Sequence, residues 1–174
     1  LRECLTSRYP RDAYILTNKL STFHFNTNEE IRPLLEKQLS ICGVDYFDFY
    51  LMHAQDADIY EKYKACRAYE TALELLEEGK IKHFGISFHD KAAVLDRILT
   101  EYPQVEVVQI QLNYVDFNDA SVEGRKCLEI CRNLPTDTAC YKLKHLRNRR
   151  RYIIEYIADH LPRSRCCESK IVFG

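Results

Sequence analysis

The feature that most constrains this chain is a spacing. Lys19, His53 and Ser87 each close a short apolar run, and both intervals between them are 34 residues. Gln109 follows 22 residues later, inside another apolar run. Between these runs the apolar residues fall at helical spacing, so the first 130 residues alternate strand and helix. Residues 13–19 read as a buried strand, apolar until the polar residues at its end. Thr27 to Glu30 then offers an N-cap with acids in the first turn. Ile31, Leu34, Leu35 and Leu39 mark one helical face, and Gly43 stops the helix.

The plan repeats. Residues 47–53 are aromatic-rich and strand-like. One long helical stretch is predicted through Tyr63 and Leu76, with Gly79 at its end. Residues 83–87 form the third predicted strand and 91–99 the third helix; 105–112 form the fourth strand, and Ser121 is expected to cap a helix running to about Cys131. Strands and helices alternating with short connections imply parallel strands joined by right-handed crossovers. A doubly wound sheet and a (β/α)8 barrel both satisfy that pattern. A dinucleotide-binding sheet would usually carry G-x-G-x-x-G after an early strand, and this sequence has none. Polar residues at the carboxyl ends of successive strands favour the barrel, which keeps its chemistry there. A whole barrel needs eight strands and about 250 residues. The expectation is therefore α/β, a partial (β/α)8 TIM barrel of about four βα units, with an unpaired edge at each end inviting association.

Each of the four polar residues has a plain structural reading when taken singly. A strand-end lysine can extend its ammonium to solvent at the rim, and a strand-end histidine can be a satisfied group at the core's edge. Ser and Gln close many strands. Their joint placement at successive strand ends gives them weight as a constellation.

Composition removes other classes. With 174 residues the chain can build a core without a disulfide scaffold. No run approaches the roughly 20 apolar residues of a membrane helix. The opening Leu1-Arg2-Glu3-Cys4 has no signal-peptide character, and it lacks an initiator Met, as a sequence trimmed at its start would. The eight cysteines fall at irregular intervals with no C-x-x-C pair. Cys127 and Cys131 stand one helical turn apart, yet no second pair completes a metal site. Reduced thiols, a cytoplasmic location and no metal are the expectation.

The net charge of −1 hides a division near Cys131. Residues 132–174 hold ten Lys and Arg against four Asp and Glu, whereas residues 1–131 hold 15 against 22. The chain is accordingly divided into a partial barrel, 1–131, and a basic tail, 132–174. Lys142, Lys144, Arg147, Arg149, Arg150 and Arg151 form the dense part of that tail, and residues 152–158 suit a short helix. Three origins fit: a reading-frame slip or misjoined gene, a solvated basic helix, or a nucleic-acid contact.

With these residues in place, the sequence resembles the aldo-keto reductase family. Residues 14–20 (YILTNKL) are similar to its lysine-bearing strand, and 45–53 (DYFDFYLMH) to the strand ending in its histidine. Residues 78–87 (EGKIKHFGIS) resemble its EGKIRxIGIS segment, and 108–114 (VQIQLNY) its glutamine-bearing strand. The resemblance covers about residues 10–131 in order and spacing. It implies reduction of aldehydes or ketones with NADP(H) or NAD(H). It gives Lys19 and His53 the catalytic roles and Ser87 and Gln109 the nicotinamide carboxamide. In that family a tyrosine protonates the carbonyl oxygen, and an aspartate pairs with the lysine. Both lie on segments before the lysine strand, and none of the 12 tyrosines here carries that motif. Phe88-His89-Asp90 after the serine resembles the bacterial and archaeal branch with a C-terminal ferredoxin-like iron–sulfur domain, whose cysteine motifs are absent from this sequence. A further strand after Cys131, and a basic loop for a 2′-phosphate, are implied but not recognisable. The expected function is thus an NAD(P)H-dependent oxidoreductase acting on a small carbonyl substrate, inactive or incomplete as this chain stands. Neither a membrane nor nucleic acid is an expected partner. The alternative is a non-catalytic, barrel-derived binding protein whose basic tail meets nucleic acid or a protein partner.

Overall fold

The computed structural model describes residues 1–111, 117–133, 139–144, 153–157 and 171–173. Its contacts divide into two compact units. One comprises Leu1–His53, Glu61–Phe84 and Pro162–Gly174, and the other Ala54–Tyr60 and Gly85–Leu161.

In the first unit, β1 (Ile15–Leu20) leads through α1 (Ile31–Cys42) to β2 (Phe47–Gln55). The turn into α1 is fixed by a capping box: the Thr27 side chain accepts from the Glu30 backbone N–H, and the Glu30 carboxylate takes the Thr27 backbone N–H at 3.3 Å. Ile31, Leu35, Leu39 and Cys42 form the buried stripe of α1. The helix ends at Gly43, whose φ of 68° needs the left-handed freedom of glycine. Its N–H reaches the Leu39 carbonyl at 2.8 Å, and the Val44 N–H reaches the same oxygen at 3.2 Å.

β1 and β2 pair in parallel, with Thr17 opposite Phe49 and Lys19 opposite Leu51. Their amino-terminal ends are tied by Asp48. One of its oxygens lies 2.6 Å from Arg11 Nη2 and 2.7 Å from the Leu16 N–H. The Arg11 guanidinium also covers the rings of Tyr46 and Tyr14.

The predicted long helix is two helices, α2 (Ala57–Ala65) and α3 (Ala68–Glu77). Between them Arg67 takes φ 51°. The break is held from a distance, because Asn28 Nδ2 donates to the Cys66 carbonyl at 3.0 Å and to Thr71 Oγ1 at 2.7 Å. β3 (Ile81–Phe88) follows, beginning in the first unit and ending in the second.

In the second unit, α4 (Ala92–Glu101), β4 (Val107–Gln111) and α5 (Gly124–Asn133) continue the pattern. β3 and β4 are parallel. Ser121 does not cap α5 as predicted. Its N–H and hydroxyl both bond Asp119 Oδ1, at 2.7 and 2.6 Å, so an aspartate turn precedes the helix.

The tail supplies three strands, β5 (Ala139–Lys144), β6 (Ile153–Ile157) and β7 (Ile171–Phe173). β5 runs parallel to β4, and β6 runs antiparallel to β5. Residues 153–157 are therefore strand and not the helix predicted there. β7 lies parallel to β1 in the first unit. The outer edges of β1 and β4, expected to be unpaired, are both covered. The hydrogen-bonded order is β7-β1-β2 in the first unit and β3-β4-β5-β6 in the second. Four βα units with parallel strands make this a partial (β/α)8 barrel. The basic run at Arg147, Arg149, Arg150 and Arg151 lies outside the described residues. Among the described residues no helix is long and apolar enough to cross a membrane.

Candidate active site

Lys19 and His53 fall on one face of the β1–β2 pair. Lys19 stands opposite Leu51, and His53 is two residues further along the strand, which returns it to the same side. Lys19 is half-buried, and removal of water lowers its pKa from the ordinary 10.5 to about 8. Its backbone carbonyl takes a hydrogen bond from Gln38 Nε2 on α1 at 3.2 Å, and Gln38 Oε1 accepts from the Tyr50 hydroxyl at 2.8 Å. The lysine's strand end is thereby tied through α1 to β2.

His53 is held through its backbone by Tyr63 of α2. The His53 N–H donates to the Tyr63 oxygen at 3.1 Å, the His53 carbonyl lies 3.2 Å from it, and the hydroxyl also donates to the Leu20 carbonyl. Tyr63 is fully buried, edge-on to Phe25 and Tyr69, and burial pushes its phenol well above the ordinary tyrosine range. One hydroxyl thus fastens the carboxyl ends of both strands. Ala54, next after His53, has φ 55°, an uncommon conformation outside glycine. Sequence reasoning missed Tyr63. Its helical spacing marks it as a buried position, and nothing local says what its oxygen reaches.

Ser87 and Gln109 are direct cross-strand partners in the second unit. Both are buried, at 0% and 3% exposure. Paired residues of parallel strands share a face, so a hydroxyl and a side-chain amide stand side by side there. Ser87 Oγ lies 3.3 Å from His89 Nε2. Phe88 and Ile110, also paired, face the other way. They line a small pocket with His89, Asp90 and, from the start of α5, Gly124 and Cys127. Gln111 also lines that pocket, and neither Ser87 nor Gln109 does. His89, just beyond the end of β3, lines it and lies within reach of Ser87 Oγ.

Among the described residues no group of three or more His, Cys, Asp or Glu side chains gathers as a metal site would. Among the described residues, Cys4, Cys42, Cys66, Cys127 and Cys131 are not joined in disulfides.

Parallel βα units that carry polar side chains at the carboxyl ends of their strands define a barrel-enzyme framework. The sequence narrows that class further. The model of the aldo/keto reductase family matches residues 1–147, and the chain belongs to that family. Among solved structures it is similar to an aldo/keto reductase from Brucella melitensis, with 27% identity, a TM-score of 0.50 and coverage of 62% of this chain and 40% of that one. It is also similar to an aldose reductase from Giardia lamblia, at 25% identity and TM-score 0.50, covering 74% of this chain and 46% of that one. An aldo-keto reductase from Bombyx mori, solved with NADP, shares the fold at 19% identity and TM-score 0.56, over 82% of this chain and 45% of that one. The chain spans less than half the length of each of these relatives. No curated protein matches the chain.

Proposed function

We propose that this chain is part of an NAD(P)H-dependent reductase of aldehydes or ketones, in which Lys19 and His53 serve the carbonyl and Ser87 and Gln109 hold the cofactor. The observation that carries the reading is the order of these four residues. They lie at or near the carboxyl ends of four successive strands in a chain whose family is the aldo/keto reductases.

The donor set fits the group it would hold. A primary carboxamide presents one carbonyl acceptor and two N–H donors. A serine hydroxyl can donate to the first, and a glutamine side chain can serve either. When bound, the nicotinamide supplies hydride to the substrate carbon. The chain's own residues provide the electrostatics around that event. His53 can donate a hydrogen bond to the substrate oxygen and draw charge from the carbonyl carbon. Lys19, mostly charged at neutral pH with a pKa of about 8, favours negative charge developing on nearby oxygen. It also lowers the pKa of any phenol beside it, making that phenol a better proton donor.

The family's acid–base tyrosine has no motif match in this chain, so these 174 residues alone are expected to bind cofactor without reducing a carbonyl. NADPH titration, followed by fluorescence, tests the first half. Ser87→Ala and Gln109→Ala should each weaken binding by about tenfold, the worth of one hydrogen bond to a buried polar group. Unchanged affinity in both variants would remove the cofactor roles. Steady oxidation of NADPH with a simple aldehyde, dependent on His53, would overturn the expected inactivity.

A further inference from the structure

We propose that Gln38 is a positioning residue for Lys19: its amide, oriented by the Tyr50 hydroxyl, holds the lysine's peptide and so sets the ammonium at the carboxyl end of β1. This rests on the reading that Lys19 serves a substrate carbonyl.

The peptide groups of successive residues in a strand point alternately to its two sides. The Leu16 N–H turns toward β2, where Asp48 takes it at 2.7 Å. Those of Thr17 and Lys19 therefore turn to the opposite side, along which β7 lies, and the register with β7 covers Ile15 to Thr17. At Lys19, side chains stand in for a strand. Asn18 Oδ1 takes the Lys19 N–H at 2.8 Å, and Gln38 Nε2 donates to the Lys19 carbonyl at 3.2 Å.

The amide can do this in one orientation only. A backbone carbonyl accepts and never donates, so it must face the NH2 group. Oε1 is then left for the Tyr50 hydroxyl, which donates to it at 2.8 Å. Tyr50 is fully buried with its ring stacked on Phe47, and burial pushes its phenol far above the ordinary tyrosine range. It therefore keeps its proton, and stays a donor, through neutral and mildly alkaline pH. Gln38 itself is delivered by α1, beside the buried Leu35 and Leu39, in a helix fixed at its start by Thr27 and Glu30 and at its end by Gly43. The strand end that carries Lys19 thus takes its place from a stiff helix as well as from β2.

NMR on the full chain tests the idea. In the wild type, a Gln38 side-chain N–H should exchange with solvent more slowly than those of the exposed Gln104. Equal exchange overturns the proposal without reference to any variant's folding. The ¹³Cε signal of Lys19, assigned with Lys19→Met and followed against pH, reads the state of the ammonium. Gln38→Leu should carry its pKa from about 8 at least halfway to 10.5, because a released strand end lets water reach the charge. Tyr50→Phe, which frees the amide to turn over, should move it the same way by less and add nothing to Gln38→Leu. Leu39→Val loosens the same helix without touching the amide and should leave Lys19 at about 8. An equal displacement in Leu39→Val would reduce Gln38 to a structural role, and an unmoved Lys19 in Gln38→Leu overturns the proposal. The carbonyl reading is tested separately, by the carbonyl ¹³C signal of benzaldehyde added with NADP⁺. It should shift on binding, and shift less in Lys19→Met and in Gln38→Leu. A shift that Lys19→Met leaves unchanged removes the carbonyl role, whatever Gln38 does to the pKa. A shift that depends on Lys19, with a pKa that ignores Gln38, removes the positioning role alone.

Discussion

Lys19 shows how a single position can carry a cost that its sequence neighbours do not reveal. The ammonium loses part of its hydration in the fold, and that alone draws its pKa down to about 8. The sign of the consequence follows from proton counting. Below about pH 8 the lysine is charged in both folded and unfolded chains, and the full penalty is present. Between about 8 and 10.5 the unfolded chain holds the proton more often than the folded one, so stability rises with pH. The advantage of Lys19→Met over the wild-type chain in denaturant midpoint should shrink across that window, since buried tyrosines that titrate there affect both chains alike. At pH 7 the methionine variant should be more stable by about 1 kcal/mol, after allowance for the solvent contact the ammonium keeps. A carboxylate brought beside Lys19 would push its pKa back up and shrink the difference. The placement of Lys19 and His53 at strand ends is legible in the sequence, because a buried strand stays apolar until it reaches the rim and can turn polar only there. Tyr63 is not. It contributes through an oxygen aimed at the backbones of Leu20 and His53, which lie 43 and 10 residues away in the chain.

At the scale of elements, capping and stop residues predict correctly where they act locally. Thr27 and Glu30 mark the start of α1, and Gly43 its end, since both depend on backbone groups within a few residues. Gly43 also gives a direct test. Gly43→Ala must hold a left-handed φ of 68° with a Cβ that would sit 2.9 Å from the Arg2 side chain. The arginine can move, but the backbone cannot, so a loss of about 1–2 kcal/mol is expected in chemical denaturation. Local signals fail where a distant or competing partner decides the matter. The split of α2 from α3 depends on Asn28, 38 residues before Cys66. The hydroxyl of Ser121 is lost to α5 because the Asp119 carboxylate reaches it first. β5 is legible in principle, for its last four residues, Tyr141-Lys142-Leu143-Lys144, alternate apolar and basic as a one-sided strand does. The surrounding basic residues fit a solvated charge run equally well, and that masks the period of two.

At the scale of the whole molecule, the tail matters as edge cover more than as charge. β7 pairs along the outer side of β1, with Ile15 opposite Ile171 and Thr17 opposite Phe173. A bare parallel edge would offer its unpaired N–H and carbonyl groups to another chain. Deleting residues 171–174 should therefore raise the fraction of dimer and larger species in sedimentation velocity, with the monomer recovered at low protein concentration. Equal profiles for the two chains would show that β7 has no such role. The partial barrel itself is readable from strand–helix alternation and the repeated 34-residue interval. Its edge cover is not, because β7 meets β1 across some 150 residues of chain. The Ser87–Gln109 pairing also sets a rule for how β4 can change over time. Inserting or deleting one residue would bring Val108 or Ile110 opposite Ser87 and turn glutamine toward the apolar layer. A shift of two preserves the faces and can set Gln111 in place of Gln109. Length variation in this strand should accordingly be tolerated by parity, with even steps surviving selection where odd ones do not.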